Sequence, residues 1–390
     1  MSVHKFELSV YKGLWEDKNI ITTILNDPTL VKSNHDFWRE DFAIDPNITE
    51  TNAQGEAVFT SRMRQLESGV LMDMRAPLGD SIPEDVRGMA AYQGTIQEFI
   101  SKGFVETAEE REYKRRLFAE IGDASLIKRF AEEVLQPRLD SANQTLSHMA
   151  AQLISTGKII YKQGVGMKGS ILKAAIPEKN FRKAGEKVWT DPTAPLFDYM
   201  RQHQEEIYEE AGVEFAAQWK ITRKMLNDVF LKNDQVKQWI KDCYLMESGQ
   251  IGVGTTNLTG LVVNEENFFK YVAKIQGLAP IKIVDEKQKD AVNGTVNGWK
   301  EGVAVFCPVG KLGLIRRTTI ADVRLFSDEY TNPNTSFVFG SALEGCAFVR
   351  NSVVPNGVLK EWHSDLVLAA TPTLDEFLYH YIIDTTTAND

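Results

Sequence analysis

Residues 188–240 read VWTDPTAPLFDYMRQHQEEIYEEAGVEFAAQWKITRKMLNDVFLKNDQVKQWI, and this is the most informative part of the sequence because it reads as one unit of helix, strand and helix. Apolar residues recur at helical spacing from Leu196 to Ile207, which predicts an amphipathic helix. Asp191 and Thr193 are its predicted caps, and Gly212 is expected to stop it because glycine readily adopts the left-handed conformation that ends helices. The stretch therefore opens with a helix of about four turns.

A strand and two more helices follow within the same stretch. Every second residue is apolar along the predicted strand, which is the period of a β-strand: Val213, Phe215, Ala217, Trp219 and Ile221. Thr222 is the predicted cap of the next helix, and Asp234 is the predicted cap of a short helix after it.

A long helix is predicted upstream, from Asp123 to about Leu153, because apolar residues follow three and four spacing over several turns. Pro137 is expected to kink or divide it, since proline lacks the backbone N–H. Thr107 and Glu110 form a capping-box pattern that opens a shorter helix just before it.

The first 50 residues show no sustained period and are predicted to be an extended arm. Its Phe37, Trp38 and Phe42 cannot bury one another, so they must lie on the body of the chain or on a neighbour. Residues 56–104 predict a long hairpin with strands at Val70–Met72 and around Tyr92–Phe99. An ordinary surface hairpin remains an alternative there.

Further strands are predicted in the second half of the chain. Ile281–Val284 is expected to be buried, and Gly302–Pro308 to be an apolar strand, so that strands and helices form a mixed layer. Asp365–Pro372 and Leu374–Ile383 are predicted to return to the sheet beside the long helix.

Composition excludes several classes of protein. The 390 residues are 43% hydrophobic and 25% charged, as in a globular protein with a sizeable core. A net charge of −10 without a block of Lys or Arg speaks against tight nucleic-acid binding. No apolar run is long enough to span a membrane, and the amino terminus lacks a secretory signal, which predicts a cytosolic protein. Cys243, Cys307 and Cys346 are expected to be buried free thiols.

Candidate sites for chemistry are few. Gly164–Gly169 matches a dinucleotide fingerprint but lacks its βαβ setting, so a turn or bulge is the better interpretation. Gly249–Gly254 and Gly310–Lys311 lack the residues of a phosphate loop. The acidic residues of the helix before Gly212 predict a solvated face rather than a metal cluster: Glu205, Glu206, Glu209 and Glu210. No catalytic, cofactor-binding or metal-binding residue is therefore predicted. A cytosolic α/β enzyme holding a phosphate ligand at Gly164–Gly169 stays open as the alternative.

The order of arm, hairpin, long helix, sheet and mixed domain resembles tailed-phage major capsid proteins of the phage lambda E type, which share the Hong Kong 97 fold. Residues 188–240 match their axial domain, and Ile154–Ile159 matches the exit from their spine helix. The resemblance implies an α+β fold with these boundaries: arm 1–54, extended loop 55–104, peripheral domain 105–190, axial domain 191–350, and return strands with the tail 351–390.

The same resemblance implies a function. The chain is expected to be a non-enzymatic subunit that self-assembles through hexamers and pentamers into the icosahedral head shell of a double-stranded DNA phage. The implied partners are further copies of itself, a scaffolding protein and a portal, with a decoration protein as a further candidate, weak non-specific contact with DNA, and no membrane. The implied location is the virion, with the host cytoplasm during assembly. A host-encoded compartment shell of the same fold remains open.

Two expectations concern maturation. Lys102 is the only lysine between Glu56 and Phe104 and lies at the base of the loop, so no covalent crosslink between chains is expected. A sequence that starts at Met1 also predicts no cleaved amino-terminal scaffolding segment.

Overall fold

The computed structural model describes residues 23–27, 36–52, 56–63, 90–100, 103–107, 109–110, 113, 123–161, 170–247, 263–285, 287–290, 294–320, 337–356, 359–375 and 379–389. Helices and both parallel and antiparallel strands occur in this part of the chain, which confirms the predicted α+β class. Within these ranges we find no helix with the length and apolar character needed to cross a bilayer.

The longest helix, called the spine helix below, begins at Asp123 and ends at Thr156. It has three consecutive segments: α-helix Asp123–Phe130, π-helix Ala131–Leu135 and α-helix Gln136–Thr156. Pro137 cannot donate a hydrogen bond, and in a regular α-helix its ring would clash with the carbonyl four residues earlier, so the wider π turn precedes it. The predicted division at Pro137 is thus confirmed. At about 1.5 Å per residue the spine helix is roughly 50 Å long.

A five-stranded mixed sheet separates two hydrophobic cores. Its strands are, in spatial order, Ile281–Val284, Ala217–Thr222, Val303–Pro308, Tyr381–Asp384 and Phe181–Lys183. Alternate side chains of the middle strand turn to opposite faces: Val303, Val305 and Cys307 join the first core, which surrounds the spine helix, and Ala304 and Phe306 join the second core. Both faces of this sheet are therefore covered.

Helices of the second core lie on one face of this sheet: Leu196–Ala211, Arg223–Asp228, Asp234–Glu247 and Glu265–Val272. Short 3₁₀ turns occur at Glu178–Asn180, Phe230–Lys232 and Leu343–Gly345. Trp189 lies at the centre, with its ring centroid 6.2 Å from that of Trp219 and 6.0 Å from that of Phe230. These buried aromatic contacts fix the helices on the sheet.

The helix ends agree with the sequence in part. Thr222 caps its helix by accepting from the Met225 N–H at 3.1 Å, and Gly212 ends the first helix with φ 65°, as predicted. Asp191 and Thr193 are not caps, because Asp191 accepts from the Thr193 N–H within a turn that precedes the helix.

Two further caps come from residues that the sequence analysis did not assign. Gln235 accepts the Phe197 N–H at 2.9 Å from a neighbouring helix. Asn233, rather than the predicted Asp234, caps the next helix by accepting the Val236 N–H. That helix extends to Glu247 and is longer than predicted.

The remaining strands form further sheets, most of them beside the first core. A three-stranded sheet has the order Phe42–Ile48, Gly313–Arg317 and Ala370–Leu374. A longer sheet has the order Phe337–Ala342, Ala347–Asn356 and Leu359–Leu368, with Phe99–Ile100 and Phe104–Glu106 both paired to the last of these. Three antiparallel pairs complete the list: Val58–Met63 with Ala90–Thr95, Lys158–Tyr161 with Ser170–Lys173, and Gln288–Asp290 with Gly294–Val296.

Several strands differ from the predicted ones. The strand predicted around Tyr92 is confirmed, but its partner is Val58–Met63, and the predicted Val70–Met72 lies outside the described residues. The final strand, Tyr381–Asp384, pairs with Val303–Pro308 in the five-stranded sheet rather than returning to the sheet beside the spine helix. Ile281–Val284 is a half-buried edge strand and not a fully buried one. Thr107 and Glu110 make the predicted reciprocal capping bonds.

Candidate functional site at the arm junction

Residues 36–48, called the arm segment below, pack into the body of their own chain. The segment contains a short helix, Phe37–Asp41, and a strand, Phe42–Ile48, that runs parallel to Gly313–Arg317. Trp38 and Phe42 are buried in the first core. Of the two alternatives left open for these aromatic residues, the body of the chain is therefore the correct one, because its own spine helix and sheet bury them.

The Trp38 side chain fixes the arm helix on the spine helix. Its indole Nε1–H donates to the Oδ1 of Asn143 at 3.0 Å, and both side chains are fully buried. The guanidinium carbon of Arg39 lies 4.5 Å from the centre of the Trp38 ring on the solvent side. The contact thus combines apolar burial, a buried hydrogen bond and a cation–π interaction.

A buried ion pair joins the arm segment to the five-stranded sheet. Lys220 follows Trp219 in the strand Ala217–Thr222, so it points to the opposite face, into the first core. Its side chain is 0% exposed, and its Nζ contacts the Oδ1 of Asp41, which is 2% exposed. A lone buried cation would be very costly, so Asp41 is what makes Lys220 tolerable at this position.

Asp45 makes a second charged contact at the same junction. Its Oδ2 contacts a guanidinium nitrogen of Arg316, while its Oδ1 accepts the N–H of Asn47 at 2.9 Å. The Nε of Arg317 donates to the carbonyl of Asp45 at 3.0 Å. These bonds hold the strand of the arm segment in register with Gly313–Arg317, where Phe42 lies opposite Gly313.

Glycine is required at the start of the strand Gly313–Arg317, which passes between its two neighbours in the three-stranded sheet. A Cβ at Gly313 would lie 1.9 Å from the carbonyl oxygen of Thr373, which is far inside van der Waals contact. Any side chain there would push apart the strands Gly313–Arg317 and Ala370–Leu374. Gly313 therefore permits the close approach that the three-stranded sheet needs.

A thiol and an imidazole near the ion pair are held in their neutral forms. Burial raises the pKa of Cys307 to about 12, and burial lowers the pKa of His380 to about 4. The Nε2 of His380 lies 2.7 Å from the carbonyl oxygen of Ile154, so this nitrogen carries the proton and donates. At neutral pH Cys307 is a thiol and His380 a neutral donor, which makes both groups structural.

Most residues singled out in the sequence have structural roles where they are described. Cys243, Cys307 and Cys346 are buried free cysteines, as predicted. Lys311 donates to the carbonyls of Arg39 and Glu40 at the end of the arm helix. Gly164–Gly169 and Gly249–Gly254 lie outside the described residues. Among the residues that are described, no group of three or more His, Cys, Asp or Glu could hold a metal ion.

The acidic helix face is solvated, as predicted, and two of its carboxylates are also paired with an arginine. Arg182 bridges Glu206 and Glu210 at 2.7 and 2.6 Å, and Glu205 and Glu209 are exposed without such a bridge. A groove of about 550 Å³ lies beside the same helix, between Phe197, Trp239 and Ile275. The cations at its rim are already paired: Arg201 with Asp198, and Lys274 with Glu247.

Sequence reasoning missed the Asp41–Lys220 pair. The alternation of Ala217, Trp219 and Ile221 suggests a strand with one face in solvent, where Lys220 would be unremarkable. The side of this strand that carries Lys220 is covered because the arm segment packs on it. Its Asp41 is 179 residues away from Lys220 in the sequence. No local pattern signals that contact.

Comparison with known proteins gives structural likenesses only. No protein-family model matches the chain, and no curated protein matches it. Among solved structures, the chain is similar to the putative capsid protein of a prophage of E. coli CFT073, at 11% identity and TM-score 0.41, over 84% of this chain and 76% of that one.

Two further capsid structures are similar over most of their length. The mature capsid of bacteriophage PhiM1 is 11% identical, with TM-score 0.44 over 96% of this chain and 98% of that one. The capsid of cyanophage A-1(L) is 10% identical, with TM-score 0.44 over 85% and 88%. These likenesses assign no role to any residue of this chain.

Proposed function

We propose that this chain is a shell-forming subunit, the major capsid protein of a tailed double-stranded DNA bacteriophage with a Hong Kong 97-like fold. In this proposal its work is self-association rather than catalysis. It forms hexamers and pentamers of itself that close into an icosahedral head. The division into arm, extended loop, peripheral domain, axial domain and return strands given above belongs to the same proposal.

The observation that carries this proposal is a two-stranded ribbon anchored to a stiff body at its base. Val58–Met63 and Ala90–Thr95 pair over six residues each, which is roughly 20 Å of ribbon. Phe59 and Ile96 are buried at its base in the first core, and Gly94 lies against Phe59 and Leu172. A lone two-stranded ribbon is marginally stable in water, so it gains stability by packing on another surface.

The body itself is suited to a shell. The spine helix stiffens the first core over roughly 50 Å, and the five-stranded sheet joins that core to the second one. A rigid subunit with an anchored ribbon can make the same contacts in every copy, which closed symmetric assembly requires. Scaffolding, portal and decoration proteins are the further partners, packaged DNA makes only weak contact, and the virion is the proposed location, after assembly in the host cytoplasm.

Electron microscopy of the purified chain tests this proposal. Expression of the chain, alone and together with the scaffolding protein of its own genome, is expected to give closed particles of uniform diameter that sediment far ahead of the monomer. A chain that remains monomeric under both conditions, at concentrations up to those reached in an infected cell, would contradict it. Denaturing gels of the particles are expected to show monomer bands, because the proposal includes no crosslink.

A further inference from the structure

The outward side of one hairpin carries an unusual set of residues. Lys158–Tyr161 pairs with Ser170–Lys173, and its inward side chains lie in the first core. On the outward side Ile160 lies directly opposite Ile171, and these side chains are 55% and 58% exposed. Lys158 lies opposite Lys173, one step along the same side, and both are exposed. We call these four residues the hairpin face.

Among the described residues, the hairpin face has no opposite charge beside it. Like charges directly opposite each other across two strands are destabilising, and no described carboxylate lies within salt-bridge distance of Lys158 or Lys173. The two isoleucines expose apolar area beside those charges. A fitting partner therefore offers two carboxylates at the spacing of the two lysines, with an apolar group next to them.

The helix Leu196–Ala211 offers such a surface. Its Glu206 and Glu210 are held by Arg182, but Glu205 and Glu209 are exposed and pair with no described cation. We call these two glutamates the helix face. Residues four apart on a helix have Cβ atoms about 5–6 Å apart, and residues opposite each other in an antiparallel pair about 4.5–5.5 Å apart, so the two spacings match. Val213 follows Gly212, which ends this helix, and at 43% exposure it is the exposed apolar residue nearest to Glu209 along the described chain.

The hairpin face and the helix face both lie next to one edge strand of the five-stranded sheet, Phe181–Lys183. Phe181 is the first residue of that strand, and its ring lies 3.5 Å from where a Cβ of Gly157 would be, next to Lys158. Arg182, the next residue, points to the other side of the sheet and holds Glu206 and Glu210. The two faces thus flank the same exposed edge, where a second molecule has access to both.

We propose that the hairpin face of one copy of this chain docks on the helix face of a second copy. Lys158 and Lys173 pair with Glu205 and Glu209 of that copy, and Ile160 and Ile171 cover Val213. The isoleucines favour a protein partner over DNA phosphates, which would leave them in water. The inference rests on the proposed shell function and names one of its contacts.

Charge reversal tests this contact. The variant Lys158→Glu/Lys173→Glu places four carboxylates together and is expected to lower the yield of particles on the order of tenfold or more, because like charges at a contact oppose association. The variant Glu205→Lys/Glu209→Lys is expected to do the same. The variant with all four reversals restores the pairing and the net charge of −10, and it is expected to assemble.

The matched control is Lys287→Glu/Lys289→Glu, which changes the charge equally at two exposed lysines of another strand pair, Lys289 within the strand Gln288–Asp290 and Lys287 just before it. It is expected to leave the particle yield unchanged, and all variants are expected to keep the thermal unfolding midpoint of the unaltered chain. Three results would each overturn the contact. They are normal particle formation by either two-site reversal, failure of the four-site variant to assemble, and an equal loss of particle yield in the control. Loss of DNA retention without loss of assembly would overturn it too and point to phosphate. Absence of particles from the unaltered chain would instead refute the shell function on which the contact rests.

Discussion

Removal of one partner of the Asp41–Lys220 pair is the most direct test of how the arm segment is held. Asp41→Asn keeps the shape of the side chain and removes its charge, so the Lys220 ammonium stays in the first core without a counter-charge. Both side chains are almost completely buried, at 0% and 2% exposure, so solvent screens the pair very little. Breaking such a pair costs about 3–5 kcal/mol. That loss changes the folding equilibrium by roughly 10²–10⁴-fold.

A double-mutant cycle measures this coupling. Lys220→Met removes the charge from the other side and strands the Asp41 carboxylate, so it is expected to cost about as much. The double variant Asp41→Asn/Lys220→Met strands no charge and is expected to be clearly more stable than the sum of the two single changes implies. Urea unfolding of the unassembled chain, followed by tryptophan fluorescence, gives each free energy.

The matched control is the exposed pair of Lys224 with Glu301. Their atoms lie 2.8 Å apart, but the side chains are 63% and 73% exposed, so Glu301→Gln is expected to leave the urea midpoint unchanged. Two results would refute the reasoning about the buried pair. One is an Asp41→Asn variant as stable as the unaltered chain, and the other is strict additivity in the cycle.

Three other changes probe the same junction. Trp38→Phe removes the indole donor and leaves the buried Asn143 oxygen without it, so the free energy of unfolding is expected to fall by about 1–3 kcal/mol in urea titrations, and no change would mean that the bond contributes nothing. Gly313→Ala places a methyl group against the Thr373 carbonyl and is expected to cost about 1–3 kcal/mol in the same assay, whereas a stable variant would show that the two strands can separate freely. Burial lowers the pKa of His380 to about 4, so between about pH 6.5 and pH 4 the unfolded chain binds a proton that the folded chain does not, and stability is lost as the pH falls through that window. His380→Gln is expected to flatten the dependence of stability on pH there, and a slope equal to that of the unaltered chain would contradict this assignment.

Local signals predicted the elements of this fold well. The helix Leu196–Ala211 stops at Gly212 and the next helix starts at Thr222, because both ends depend on side chains and dihedral angles within a few residues. The spine helix was predictable from its apolar spacing. Its π segment before Pro137 follows from the missing N–H of one residue. Each of these outcomes is decided within one or two turns of chain.

Pairings between distant segments were not predictable in the same way. The strand Phe42–Ile48 contains Asp45 and Pro46, which are poor strand formers, and it exists because Gly313–Arg317 and two arginines hold it. The strand Tyr381–Asp384 is apolar on both faces, so its sequence does not choose between the two sheets. Gln235 caps the helix Leu196–Ala211 from 38 residues away, which helical spacing does not show, whereas Asn233 is a local cap three residues before the N–H that it accepts.

In the proposed shell, the burial of the arm segment limits how the subunits can be joined. An arm that exchanged freely between copies would have to withdraw Asp41 and leave the Lys220 charge in the first core, at a cost comparable to a large share of the stability of a domain. Residues 36–48 therefore belong to the subunit before it assembles. The ribbon Val58–Met63 leaves the same core through the buried Phe59, so the body also fixes its direction. Contacts between copies then follow from the orientation of a rigid subunit, and a change at the arm junction should alter assembly by loosening the body rather than by removing a contact surface.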